Sequence, residues 1–163
     1  EIGTGSGVIS VMLAKLIDDI KIIAVDINDD AITLAKKNAK KHEVEHKIEF
    51  IKSDLYENID EQIFDMTISN PPYIANSYKL PLNVEFEPRN ALFGGEVGDE
   101  ILKRIIDDTY NKKIRYLLCE MGYDQKKPLE EYFKNFDIQK YEFYKDYSNF
   151  DRGFSIKFIK GDR

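Results

Sequence analysis

Three glycines in five residues, Gly3-Thr4-Gly5-Ser6-Gly7, separate the extended start Glu1-Ile2 from a helical pattern. That pattern is carried by Val8, Ile9, Val11, Met12, Leu13, Leu16 and Ile17. A glycine loop between a strand and a helix lets the backbone pass close to a ligand, with the helix's first N–H groups pointing at it. The following run, Lys21-Ile22-Ile23-Ala24-Val25-Asp26, is continuously apolar up to its closing acid. Such runs are buried on both faces of a parallel sheet. Strand, glycine loop, helix and buried strand in this order confine the chain to α/β architectures, with helices packed on a mostly parallel sheet.

Asp26 falls 19 residues after Gly7, where an acid can grip both hydroxyls of a ribose. It can equally belong to a helix cap, although Asn28, Asp29 and Asp30 already offer capping groups. The glycine spacing departs from the dinucleotide form, because position 8 is Val and the pattern reads acid-x-Gly-x-Gly-x-Gly from Glu1. That favours S-adenosyl-methionine over NAD.

The 163 residues suit one domain, 1–163, with a proper core. No run approaches the roughly 18 apolar residues that a membrane span needs. The single cysteine, Cys119, excludes an internal disulfide framework and fits a reducing cytoplasm. In the apolar run Tyr116 to Cys119 it reads as a small buried residue. The net charge of −6 argues against a broad nucleic-acid footprint, which relies on clustered Lys and Arg. The opening Glu1-Ile2-Gly3, without an initiator Met, reads as the end of a strand, with upstream sequence expected before it.

A second helix is expected over Ala31–Lys41, with Ile32, Leu34, Ala35 and Ala39 on its apolar side. It runs into His42-Glu43-Val44-Glu45-His46, a letter-for-letter match to the zinc-protease pattern H-E-x-x-H. That pattern needs both histidines on one helical face and a third ligand. A strand at Lys47–Ile51 leaves no room for such a helix, so the two histidines read as solvated loop residues and no metal site is expected.

Ser53-Asp54-Leu55 follows that strand. Asp54 can accept from an adenine amino group with Leu55 against the ring, or serve a capped turn. A polar connector, Glu57–Gln62, leads to the strand Ile63–Ile68, which delivers Ser69-Asn70-Pro71-Pro72-Tyr73. Neither proline has an N–H, so the loop cannot continue a sheet ladder, and nearby carbonyls are left to accept from something else. Asn70, the Pro71 carbonyl and the Tyr73 ring can together hold a planar –NH2 group; an ordinary turn uses the same dipeptides. The glycine loop, Asp26, Asp54 and Asn70 all fall at carboxyl ends of successive strands, where open α/β sheets bind ligands.

The ordered set E-I-G-T-G-S-G, V-D-I, S-D-L and S-N-P-P-Y-I resembles class I adenosyl-methionine methyltransferases that modify an amide or exocyclic amine nitrogen. Downstream, Phe86-Glu87-Pro88, Ala91-Leu92-Phe93-Gly94-Gly95 with Gly98, and Lys145-Asp146-Tyr147 with Asp151-Arg152 resemble the protein-glutamine methyltransferase family HemK or PrmC. The resemblance covers essentially the whole chain. It implies a Rossmann-like fold and methylation of the side-chain amide of the glutamine in the Gly-Gly-Gln motif of peptide chain release factors. It implies that Gly3, Thr4, Gly5, Ser6, Gly7, Asp26, Leu55 and Asn70 hold the cofactor, and that Asn70, Pro71, Pro72 and Tyr73 hold the substrate glutamine. Family members carry an N-terminal helical domain that helps grip the release factor; this chain is expected to lack it, along with most of the first strand. The same tetrapeptide also serves methyltransferases acting on adenine or guanine amino groups, and a non-catalytic adenosyl-methionine-binding module is a third reading.

The remaining expectations are a loop over the pocket at 85–98, in which Glu87 can touch substrate or serve the structure, and a helix at Glu100–Tyr110. A strand follows at Ile114–Met121 and a helix at Lys127–Lys134, then a closing pair, Ile138–Phe143 and Phe154–Ile159. The whole reads as a seven-stranded, mostly parallel sheet with a truncated first strand and an antiparallel last strand. The aromatics from Tyr132 to Phe158 read as core and pocket wall.

Overall fold

The computed structural model describes residues 1–60, 63–79 and 89–159, with Arg89 and Asn90 described by their backbone alone. It falls into two compact units, Glu1–Gln62 and Ile63–Arg163, and each is taken by itself.

In the first unit a single parallel bridge joins Ile2 to Val25 ahead of the glycine loop. Then come α1 (Val8–Leu16), β1 (Ile22–Asp26), α2 (Asp29–Lys41), a 3-10 turn at Glu45–Lys47, and β2 (Ile48–Lys52). β1 and β2 pair in parallel from Ile22↔Ile48 to Asp26↔Lys52. Val11, Ala14, Ile22, Ala24, Ala39, Val44 and Ile48 form one buried cluster, so both helices pack on this pair.

Two helix faces differ from the sequence reading. α1 buries Ser10, Val11 and Ala14, whereas Val8, Met12 and Leu16 are 62%, 50% and 73% exposed. Small residues are the ones that allow close approach, and Ser10 is held inward by hydrogen bonds to the Glu1 carboxylate. α2 buries Ile32, Ala35 and Ala39, but Leu34 is exposed. Two residues on a helix of 3.6 residues per turn lie about 200° apart, which turns Leu34 away from Ile32.

The second unit holds β3 (Met66–Ser69), β4 (Ile74–Ala75), α3 (Arg89–Leu92), β5 (Phe93–Gly95) and α4 (Glu100–Asn111), then β6 (Tyr116–Glu120), α5 (Lys126–Phe133), β7 (Ile138–Lys145) and β8 (Asp151–Phe158). The sheet order is β3-β6-β8-β7. β3 and β6 run parallel, and β8 is antiparallel to both β6 and β7, the reversal expected of the last strand. Leu102, Ile105, Ile106, Leu117, Leu129, Phe154 and Ile156 fill the core.

β3 starts three residues later than the apolar run suggested, and Ile63 is exposed. Its partner β6 has no extended residues to offer there, since the Ile114 N–H is taken by the Thr109 carbonyl at 3.1 Å. β8 starts three residues earlier than expected, because Asp151 pairs with Lys145 across the hairpin. The predicted loop at 85–98 is in part a strand: β5 pairs in parallel with β4. Residues 85–88, with Glu87, lie outside the described residues. The aromatic stretch divides. Phe133, Phe154 and Phe158 are buried, while Tyr144, Tyr147 and Phe150 are exposed. Cys119 is buried as expected, and burial pushes its thiol pKa up.

Candidate functional site

In the first unit the loop is drawn together at the carboxyl ends of β1 and β2. Gly3, Gly5 and Gly7 adopt φ of 69°, 54° and 80°, the left-handed region that L side chains rarely enter. Their surroundings separate their roles. A Cβ added at Gly3 or Gly5 would meet nothing within 4 Å, whereas one at Gly7 would lie 2.9 Å from the Ala35 Cβ. Gly7 therefore serves helix packing, and Gly3 and Gly5 face open space.

Asp26 organises this loop. Its Oδ2 accepts from the Gly5 N–H at 2.9 Å and its Oδ1 from the Asn28 N–H at 2.9 Å. The helix cap belongs instead to Asn28, whose side chain accepts from the Asp30 N–H at 2.8 Å. An ionised carboxylate has about four acceptor positions, so two protein contacts leave room for two hydroxyls. The Thr4 N–H donates to the Val25 carbonyl at 2.8 Å, and the Ser6 carbonyl accepts from Asn38 Nδ2 at 2.8 Å. The Glu1 carboxylate accepts from the Thr4 hydroxyl at 2.8 Å and from both the N–H and hydroxyl of Ser10. Burial pushes the Glu1 carboxyl pKa upward, against the pull of these hydrogen bonds. The Ser53 N–H continues the β1–β2 ladder to the Asp26 carbonyl at 3.0 Å, which sets Asp54 and Leu55 beside Asp26. Leu55 is buried yet holds φ of 48°, a conformation that persists only where the surroundings over-determine it.

In the second unit β3 ends at Ser69, and Asn70 follows as an exposed residue. Pro71 is buried, and Pro72 and Tyr73 are half-buried. The Tyr73 hydroxyl donates to Glu120 Oε1 at 2.9 Å. Burial, then the Glu120 charge, raise its pKa from 10.0 to about 12, so the phenol remains a donor. Next to it, β5 lies so close that a Cβ on Gly94 would come within 2.5 Å of the Pro72 carbonyl oxygen. A Cβ on Gly98 would come within 2.7 Å of the Tyr73 carbonyl oxygen. The Phe93-Gly94-Gly95 and Gly98 segment thus braces the Pro72–Ala75 backbone. Glu100 holds that segment in turn by accepting from the Val97 and Gly98 N–H groups at 2.9 and 2.8 Å, bonds that lower its own pKa.

Glu120 and Gln125 were missed by sequence reasoning. Glu120 carried a usable signal, because it closes an apolar strand just as Asp26 does. Gln125 carried none. Asp146 and Arg152 build the turn between β7 and β8: Asp146 accepts from Arg152 Nε at 3.1 Å and from the Ser148 and Phe150 N–H groups. The H-E-x-x-H match has no helix beneath it, since α2 ends at Lys41, His42 is its C-cap and Glu43 turns to φ of 59°. Among the described residues no helix is long and apolar enough to cross a membrane.

A family model, the methyltransferase small domain, matches residues 1–85. The chain is 35% identical over 168 residues to the bifunctional methyltransferase of Rickettsia typhi, covering 100% of this chain and 32% of that protein. It is 40% identical over 116 residues to the release factor glutamine methyltransferase of Rhodopirellula baltica, covering 69% of this chain and 39% of that protein. It is 39% identical over 126 residues to the ribosomal protein uL3 glutamine methyltransferase of Francisella tularensis, covering 75% and 40%. Among solved structures, the catalytic domain of human METTL16 in complex with a MAT2A 3'UTR hairpin superposes with a TM-score of 0.76 at 22% identity, over 97% of this chain and 63% of that one. The N-terminal domain of human METTL16 in complex with SAH does so with a TM-score of 0.69 at 23% identity, over 97% and 60%. At these identities the structures speak for the class I methyltransferase fold alone. The resemblance to HemK or PrmC read from the sequence holds, and the chain belongs to the methyltransferase small domain family.

Proposed function

We propose that the chain is the catalytic part of an S-adenosyl-methionine-dependent N-methyltransferase whose acceptor is the side-chain amide of the glutamine in the Gly-Gly-Gln motif of peptide chain release factors. One observation carries the reading: Asn70 projects an exposed side-chain amide with no hydrogen-bond partner among the described residues, from a loop that is otherwise pinned. A plain turn has no need of such bracing. The names of the glutamine-methylating relatives support the acceptor.

The residues of the first unit fit the cofactor. Gly3 and Gly5 hold left-handed φ and leave their backbone open to an approaching ligand, with Thr4, Ser6 and Gly7 completing the loop. Asp26 would hold the ribose hydroxyls, and Asp54 and Leu55 the adenine. When bound, S-adenosyl-methionine supplies an electrophilic methyl group on a sulfonium.

The protein's own task is alignment. An amide nitrogen is a poor nucleophile because its lone pair is shared with the carbonyl. Asn70 Oδ1 and the Pro71 carbonyl accept from the two N–H groups of the substrate amide, which turns the nitrogen lone pair out of the plane of those contacts. The Tyr73 ring supplies a face against which the amide stacks, and Pro71 and Pro72 keep the loop from relaxing. Holding reactants in such a geometry is worth on the order of 7–11 kcal/mol over free encounter. No side chain of this loop is a competent base at neutral pH, so the amide proton leaves to water.

The test is methyl transfer from labelled cofactor by the full-length protein to release factor, ribosomal protein, DNA and RNA in parallel. Label on the release-factor glutamine is the expected result. Label on nucleic acid alone would overturn the acceptor, and binding without transfer to any of them would leave a cofactor-binding module. The net charge of −6 weighs against nucleic acid, because phosphate contacts dominate such binding.

A further inference from the structure

Building on that reading, we infer that Gln125 is a positioning residue for the acceptor loop. Its side-chain amide fixes the backbone of Tyr73 and so sets where the substrate amide is held. Gln125 is only 6% exposed, and it spends its hydrogen-bonding capacity on three separate backbone segments. Nε2 donates to the Tyr73 carbonyl at 3.0 Å and to the Gly98 carbonyl at 3.0 Å. Oε1 accepts from the Gly122 N–H at 2.9 Å. The three partners belong to the loop after β3, the segment before α4 and the turn after β6.

A planar amide with two donors and one used acceptor is the only uncharged side chain that meets this set at this length. Lys donates but cannot accept, and Glu accepts but donates only when protonated. A side chain serving stability alone needs partners anywhere in the core; this one ties the Tyr73 peptide to both of its neighbours. Glu120, five residues earlier, holds the other end of the same residue through the Tyr73 hydroxyl. Tyr73 is thereby gripped at ring and backbone, and the Asn70–Pro72 peptides immediately before it inherit the constraint. Active-site groups need support to within about 0.5 Å, and a misplacement of about 1 Å can reduce rate a hundredfold.

The experiment compares Gln125→Leu and Gln125→Glu with the parent in the full-length protein. Gln125→Leu keeps the bulk and removes every hydrogen bond. Its turnover, normalised to folded molecules by a thermal melt, is expected to fall ten- to hundredfold, with adenosyl-homocysteine affinity unchanged. Gln125→Glu is the sharper variant. As a neutral acid it can still donate one hydrogen bond, and burial favours that form; as a carboxylate it cannot donate. Its turnover is therefore expected to fall as pH rises through a step that the parent lacks. The neighbouring carboxyl groups Glu120, Asp99, Glu100 and Asp124 are common to both proteins, so the difference profile isolates position 125. Amide exchange supplies a readout without substrate: the Asn76 N–H, bonded to the Gly95 carbonyl at 2.8 Å, should lose protection in Gln125→Leu. Parent-like turnover in Gln125→Leu, an identical pH profile for Gln125→Glu, or unchanged Asn76 protection would each overturn the assignment. A parent that transfers no methyl group to release factor would overturn the proposed function, and the exchange measurement would still decide for or against the Gln125 clamp.

Discussion

At the scale of single residues, Asn70 and Tyr73 do different work within one loop. Asn70 is exposed and has no hydrogen-bond partner among the described residues, so truncating it should leave the fold intact and remove one of two acceptors from the substrate amide. Asn70→Ala is expected to lower turnover by roughly 10²–10³ while cofactor affinity falls by no more than about tenfold, or ~1.4 kcal/mol. Single-turnover kinetics beside a thermal melt checks this; a normal rate with a lowered melting point would return Asn70 to a turn role. Tyr73 is gripped through its hydroxyl, which titrates near 12 instead of 10.0. Because the folded-state value is the higher one, the neutral phenol contributes stability that is complete below pH 10 and is lost as pH rises through about 12. Tyr73→Phe should therefore remove one of the latest steps in the alkaline tyrosinate titration. Tyr132, also raised to about 12 by burial and Asp107, should keep its own step. A Tyr73→Phe protein with an unchanged high-pH titration would show that the Tyr73 hydroxyl is not held buried against Glu120 in solution.

At the scale of elements, glycines of one loop carry opposite duties. Gly5 faces open space and Gly7 faces the Ala35 Cβ at 2.9 Å, although both hold left-handed φ. Gly5→Ala should cost about 1–2 kcal/mol of stability through backbone conformation alone, and its methyl group, placed where the backbone is otherwise open to a ligand, should abolish most adenosyl-homocysteine binding. Gly7→Ala should add a further 1–3 kcal/mol from overpacking between α1 and α2, with the smaller effect on affinity per folded molecule. Denaturant melts and calorimetry separate the two, and parent-like binding by Gly5→Ala would remove that loop from the cofactor site. The β4–β5 pairing applies the same rule to the acceptor loop. Gly94 and Gly98 are glycines because carbonyl oxygens of Pro72 and Tyr73 occupy the places a Cβ would take.

At the scale of the whole molecule, the chain spans about a third of the length of the bifunctional relative it matches, so most of that relative's sequence lies outside the aligned region. We propose that an upstream helical domain of the kind the family resemblance implies grips the acceptor protein. A protein carrying that domain should show a lower Michaelis constant for release factor than this chain alone, with equal adenosyl-homocysteine affinity; equal Michaelis constants would overturn that division of labour. Residue order alone determined the α/β class, the longer helices and strands, and the placing of Asp26, Asp54 and Asn70 at strand ends, while the short β4–β5 pair went unread. Those features rest on periodicity and on glycine or proline chemistry, which act over a few neighbouring residues. It misjudged Leu34 and the exposed side of α1, because a helix's apolar residues outnumber those its partner can cover. Only the tertiary structure decided that Glu120 holds Tyr73 and that Gln125 ties Tyr73 to Gly98, across separations of 47, 52 and 27 residues. A hydrogen bond across such a separation depends on where whole elements are packed, and nothing in the local pattern around Gln125 records what its amide will meet.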